Sequence, residues 1–92
     1  ALSFNNAYSY TGNALEVLVS SDYSGNGDPN LATWTSFTGG AIWSTGFFEW
    51  VNSGPLNLSS FTQNGVYLAF KYIGSASDGS TWEIDDIKIE EL

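Results

Sequence analysis

Apolar and polar residues alternate along this chain with a period of two rather than the 3.6 of an amphipathic helix. Leu15, Val17 and Val19 alternate with Glu16, Leu18 and Ser20, and Val66, Leu68 and Phe70 alternate with Tyr67, Ala69 and Lys71. Side chains that share a face at every second position mark strands half-buried on a sheet. The stretch WEIDDIKI at 82–89 obeys the same rule until Asp85 and Asp86, where two adjacent acids break the alternation and predict a β-bulge. Strands are expected near 2–5, 14–20, 33–38, 47–52, 55–58, 65–73 and 81–90, separated by short clusters of Gly, Asn, Ser and Asp that favour turns. Within 47–52, Phe48 and Trp50 share one face, read as inward, while Phe47 and Glu49 share the other. Leu58–Phe61 is the one helix-permissive piece, at most a single turn. Seven short strands with polar turns predict an all-β fold, a single antiparallel β-sandwich without significant helix.

A chain of 92 residues is one domain. A domain this small buries only about 60–65% of its unfolded surface, so its stability needs a staple or unusually good packing. There is no cysteine to supply a disulfide. Four Trp, five Tyr and six Phe supply the packing instead, since each ring can bury about 150–250 Å². The net charge is −8, with Lys71 and Lys88 the only side-chain cations against ten acids. Wrapping a phosphate backbone takes several Lys or Arg, so nucleic acid is excluded as a partner. The same charge repels anionic membranes and strongly anionic polysaccharides. No apolar run has the ~18 residues of a membrane-spanning helix.

Four blocks of sequence carry a resemblance. LEVLVSSDYSGNGDPNLATWTSF, FFEWVNSGPLNLSSF, VYLAFKYIGS and STWEIDDIKI, in that order and covering about residues 15–90, are similar to the choice-of-anchor J type of module. These are jelly-roll-like β-sandwiches, akin to MAM domains and sandwich carbohydrate-binding modules of secreted bacterial proteins. The resemblance implies an extracellular accessory role beside catalytic or surface-anchor domains of the same chain. Residues 1–92 then read as one binding module excised from a larger multidomain protein.

The loop SSDYSGNGDPNLATW at 20–34 places Asp22, Ser24, Asn26 and Asp28 at every second position around two glycines. Oxygens in that pattern fit the first positions of an EF-hand, with Gly27 at the sixth. The twelfth position is Thr33 instead of Glu, and strands flank the loop, so the EF-hand reading fails. Two readings remain: a turn whose Asp side chains bond their own backbone, or a calcium cage that draws acids from elsewhere. The resemblance implies a structural Ca2+ held partly by an Asp of the last strand, which points to Asp85 first and Asp86 second, with Asp22 and Asp28 as loop donors.

Without His or Cys, the commonest catalytic bases, thiolate nucleophiles and zinc ligands are missing. Glu49 with Glu83 or Asp85 is the obvious carboxylate pair for glycoside hydrolysis, and nothing beyond acidity supports it. The chain therefore reads as a binding protein and not an enzyme. Aromatic rings stack on the flat C–H faces of sugars, and polar side chains meet the hydroxyls. Trp34 and Trp82 read as core. Trp43, in the Gly-rich GGAIWSTG outside the resembling blocks, reads first as an exposed stacking ring, with a loop-anchoring core role or a partner contact as alternatives. Tyr23, Phe47 and Tyr67 are further stacking candidates, and Asn26, Glu49 and Lys71 are candidate hydrogen-bonding groups. The leading reading is a secreted, non-catalytic carbohydrate-binding module for a neutral or sparsely charged polysaccharide such as a β-glucan or agar-like galactan. The alternative is an adhesive or structural spacer domain without a sugar ligand.

Overall fold

Alternation puts Leu2 and Phe4 on the buried face of the first strand and Val17 and Val19 on the buried face of the second, and the fold closes around them. The computed structural model describes residues 1–61, 65–75 and 77–90. Among these residues run β1 (Leu2–Ser9), β2 (Glu16–Ser20), β3 (Thr35–Ser36), β4 (Val51–Asn52), β5 (Tyr67–Lys71) and β6 (Thr81–Ile89). Two short 3-10 turns, Pro29–Leu31 and Thr38–Gly40, interrupt the connections. One sheet has the order β4-β1-β6, the other β3-β2-β5, and every pairing is antiparallel. The architecture is all-β and sandwich-like. No helix among the described residues is long and apolar enough to cross a membrane.

Leu2 and Phe4 of one sheet meet Val17 of the other, and Leu56 completes the buried centre. Phe37, Trp43, Leu58, Leu68, Phe70 and Ile84 pack around that centre. The Phe4 and Phe70 rings meet edge to face with centroids 5.0 Å apart, a geometry that aligns the positive edge of one ring with the negative face of the other.

Several strands differ from the sequence expectation. The first runs on to Ser9, because Asn6 finds partners inside. The expected strand at 47–52 shrinks to Val51–Asn52, since Phe47 and Phe48 both adopt left-handed backbone with φ 54° and turn the chain. Phe48 and Trp50 are consequently exposed and not inward. The strand expected at 55–58 is a single bridge between Leu2 and Leu56. There Gly54 kinks the chain at φ 73° and Pro55 has no amide to donate. At 58–61 a lone turn forms, with the Phe61 amide donating to the Leu58 carbonyl at 2.8 Å.

The bulge at the acid pair is present. Ser3 faces Lys88 and Asn5 faces Asp85, so β6 carries one extra residue over that interval. Asp86 absorbs the extra residue in a left-handed conformation with φ 50°. The Asp85 carboxylate accepts the Asp86 amide at 2.8 Å, and Asn5 Nδ2 donates to Asp86 Oδ2 at 2.9 Å. The bulge returns Ile89 to the buried side, opposite Leu2. β6 is an edge strand, however, so Ile89 remains 66% exposed.

Candidate functional site

Asn6 on β1 is fully buried, and an amide buried without partners would cost several kcal/mol. All its polar atoms are engaged. Nδ2 donates to the carbonyls of Ile42 at 3.1 Å and Val51 at 3.0 Å, and Oδ1 accepts the Ser44 amide at 2.7 Å. One side chain thus ties both arms of the 42–51 loop to β1. Ser44 Oγ donates to the Glu49 carbonyl at 2.7 Å and accepts the Gly46 amide at 3.2 Å. The Phe48 amide donates to the Tyr8 carbonyl at 2.8 Å.

Held at its base, the loop turns through three consecutive left-handed residues: Gly46 at φ 112°, then Phe47 and Phe48. Tyr10, at the end of β1, is left-handed too, with φ 72°. Bulky L-residues avoid this region because Cβ crowds the backbone, at about 1–2 kcal/mol each. Such conformations persist where surrounding bonds over-determine them, and they concentrate at ligand sites.

Between Tyr8–Gly12 and Thr45–Phe47 lies an open cleft of about 570 Å³. Among the described residues its lining is aromatic and hydroxylated, from Tyr8, Ser9, Tyr10, Thr11, Thr45 and Phe47, with no carboxylate or ammonium. The Tyr10 ring meets Phe48 edge-on at 6.0 Å, and Phe47 is 94% exposed. Behind the cleft the rings form a column. Tyr8 stacks on Trp82 at 4.5 Å, Trp82 meets Trp43 edge-on at 5.6 Å, and Trp43 leans on Phe4 at 5.5 Å. This column backs the cleft wall with core packing, which lowers the ordering cost of binding.

The family model for DUF5017, a domain of unknown function, matches residues 1–92. The chain belongs to the DUF5017 family. No curated protein and no solved structure matches it.

In this DUF5017 domain the expected site residues separate into two groups. Phe47 and Glu49 belong to the loop beside the cleft, where Glu49 Oε2 accepts from Thr45 Oγ1 at 3.1 Å. Tyr23, Asn26, Tyr67 and Lys71 belong to the other sheet and its long loop. Tyr23 is half-buried between Tyr67, edge-on at 5.2 Å, and Trp34 at 5.7 Å. Gly25 lies against Tyr67 so closely that a Cβ there would sit 2.5 Å from its hydroxyl. Asn26 is exposed at the loop tip and donates its amide to Ser24 Oγ at 3.3 Å. Lys71 is exposed and faces Glu16 in the strand register.

Trp43 is not the exposed ring the sequence suggested first. It is half-buried against the core, and its indole N–H donates to the Thr38 carbonyl at 2.9 Å. The loop folds back over Phe4 because Asn6 anchors both of its arms. Tyr8, Tyr10 and Asn6 were missed by sequence reasoning. The signal available was YSYTG, two tyrosines one residue apart immediately ahead of a turn. Trp34, expected in the core, stands half-exposed beside the sheet with its indole N–H on the Pro29 carbonyl at 2.8 Å.

The oxygen-rich loop is internally bonded. Asp22 Oδ1 accepts from Ser20 Oγ at 2.8 Å and from the Thr33 amide at 2.8 Å. These bonds, Ser20 first and Thr33 second, hold the Asp22 carboxyl below the usual carboxylate range. Asp28 caps the Pro29–Leu31 turn by accepting the Asn30 amide at 2.9 Å. Among the described residues no group of three or more His, Cys, Asp and Glu gathers, so Asp22, Asp28, Asp85 and Asp86 do not form one carboxylate cluster.

Proposed function

We propose that this DUF5017 domain is a non-catalytic carbohydrate-binding module whose ligand sits in the Tyr10–Phe47 cleft. One observation carries the reading. Of the four non-glycine residues with left-handed backbone among the described residues, three are aromatic: Tyr10 and Phe47 line this cleft, and Phe48 packs against Tyr10. Strain held in place around exposed rings suits a preformed stacking platform. Tyr10 and Phe47 would stack on the sugar faces, and the hydroxyls of Tyr8, Thr11 and Thr45 would meet its hydroxyls. The uncharged lining favours a neutral glycan such as a β-glucan or agar-like galactan. In this reading the domain acts outside the cell and targets neighbouring catalytic or anchoring domains to polysaccharide. Affinity gel electrophoresis against a polysaccharide panel tests it: retardation by at least one neutral glycan, abolished in Phe47→Ala, is expected. A folded protein that no glycan retards would sink the reading.

The packing of Trp43 on the core favours a second reading, a spacer domain without a sugar ligand, in which the exposed Phe47, Phe48 and Trp50 abut a neighbouring domain. It predicts protection of those three residues in the longer protein and no response to any sugar.

A further inference from the structure

A second cleft, of about 350 Å³, lies on the outward face of the β3-β2-β5 sheet, and its chemistry differs from that of the first. Val17 and Val19 face the core, so Leu18 points outward, and its register partner Ala69 lies beside it. Ala69 is small, and the floor is correspondingly open. Trp34 forms a wall, with Asn30 near it and Lys71 on the β5 side. The long 20–34 loop fixes that wall. Asp22 ties Thr33 down next to Trp34, Asp28 caps the turn that presents Asn30, and the Trp34 indole is bonded to Pro29. The oxygen spacing of the loop therefore serves to hold a tryptophan over a sheet face.

Lys71 is one of two side-chain cations in a chain of net charge −8, and it lines this cleft beside an aromatic wall and an apolar floor. An aromatic face suits a sugar ring, a side-chain amide suits its hydroxyls, and an ammonium at the edge suits one anionic substituent. Glu16 stands opposite Lys71 in the register but does not line the cleft. Its carboxylate and the overall negative field act against a second anionic group.

We propose that this cleft binds a sugar ring carrying a single anionic substituent, a carboxylate or a sulfate ester. The site is separate from the Tyr10–Phe47 cleft and does not depend on what that cleft binds.

Amide and indole resonances of the labelled domain, titrated with methyl glucuronide, glucose 6-sulfate and the neutral methyl glucoside, test the proposal. Saturable shifts of the Trp34 indole N–H and the Lys71 amide are expected with one or both anionic probes. Binding of the neutral probe should be about ten-fold weaker, the loss of one charge-assisted hydrogen bond. Lys71→Gln, at an exposed position, should keep the spectrum of the folded domain and bring the anionic probes down to the neutral level. Phe47→Ala should leave these shifts in place, which separates this site from the first. A glucuronide response alone or a sulfate response alone identifies the anion and supports the proposal. It is overturned if no probe gives saturable shifts, if the neutral probe binds as well as the charged ones, or if Lys71→Gln changes nothing.

Discussion

Asp22 accepts the backbone amide of Thr33 at 2.8 Å, eleven positions further along the chain, and so closes the loop between β2 and β3 on itself. Its carboxylate acts as a latch between the two ends of that loop.

This latch makes stability depend on acid. Its partners lower the Asp22 pKa in the folded state, so the ionised form is favoured by folding. The contribution is present above the ordinary Asp value and is lost as pH falls through the lowered, folded-state value. Thermal melts of the native protein and of Asp22→Asn should therefore differ at neutral pH, with the native protein more stable, and converge in strong acid. Equal melting temperatures at neutral pH would remove the latch. Repeating the melts with a calcium chelator tests the calcium reading separately: a lowered melting temperature supports a structural Ca2+, and an unchanged one removes it.

Asn6→Leu removes three hydrogen bonds, stranding the buried Ser44 amide and the partly buried Ile42 and Val51 carbonyls. A loss of roughly 2–4 kcal/mol in urea unfolding is expected. Hydrogen exchange should accelerate through residues 42–51 more than in β2 or β5, and uniform acceleration would contradict the anchoring role.

Phe47 offers the opposite case. Its ring is almost fully exposed while its backbone is left-handed, so Phe47→Gly loses little packing and relieves strain. The variant should gain about 0.5–1 kcal/mol of stability even after the extra chain entropy of glycine. It should also lose polysaccharide binding. A less stable Phe47→Gly protein would show that the ring packs on the fold and does not await a ligand.

Trp43→Ala should act on the fold. The ring touches Phe4 and Trp82 and bonds Thr38, so truncation is expected to cost about 2–4 kcal/mol, less than for a wholly buried Trp. Quenching of Trp43 by iodide, read in a variant that keeps it as the sole tryptophan, should be weak. Strong quenching would return the ring to the surface.

How much of this was legible depended on whether the cause was local. The LEVLVS and VYLAFK alternations specify faces by themselves, because a period of two sorts side chains without help from elsewhere. The Asp85–Asp86 bulge was legible for the same reason, since two adjacent polar residues cannot both keep the alternation. The 47–52 stretch was misread because its apolar and polar order suits a strand, whereas the turn at Gly46–Phe48 is set by the Phe48 amide's bond to Tyr8 and by Asn6, which anchors Ser44 and Val51 on either side of it. Those partners are distant in sequence, and propensity does not register them.

By itself, the sequence determined the all-β class, the inward faces of β2 and β5, the bulge in β6, the absence of thiol and imidazole chemistry, and a charge hostile to nucleic acid. Tertiary structure alone decided which aromatic rings are free. Trp43 is drawn onto Phe4 while Trp50, read as inward, is exposed, and Tyr10, unremarked in the sequence, faces the cleft. The reason is physical. A ring stabilises a core and a binding surface through the same apolar area, so its residue type cannot distinguish the two. What distinguishes them is where the chain is pinned, and here a single buried asparagine does the pinning.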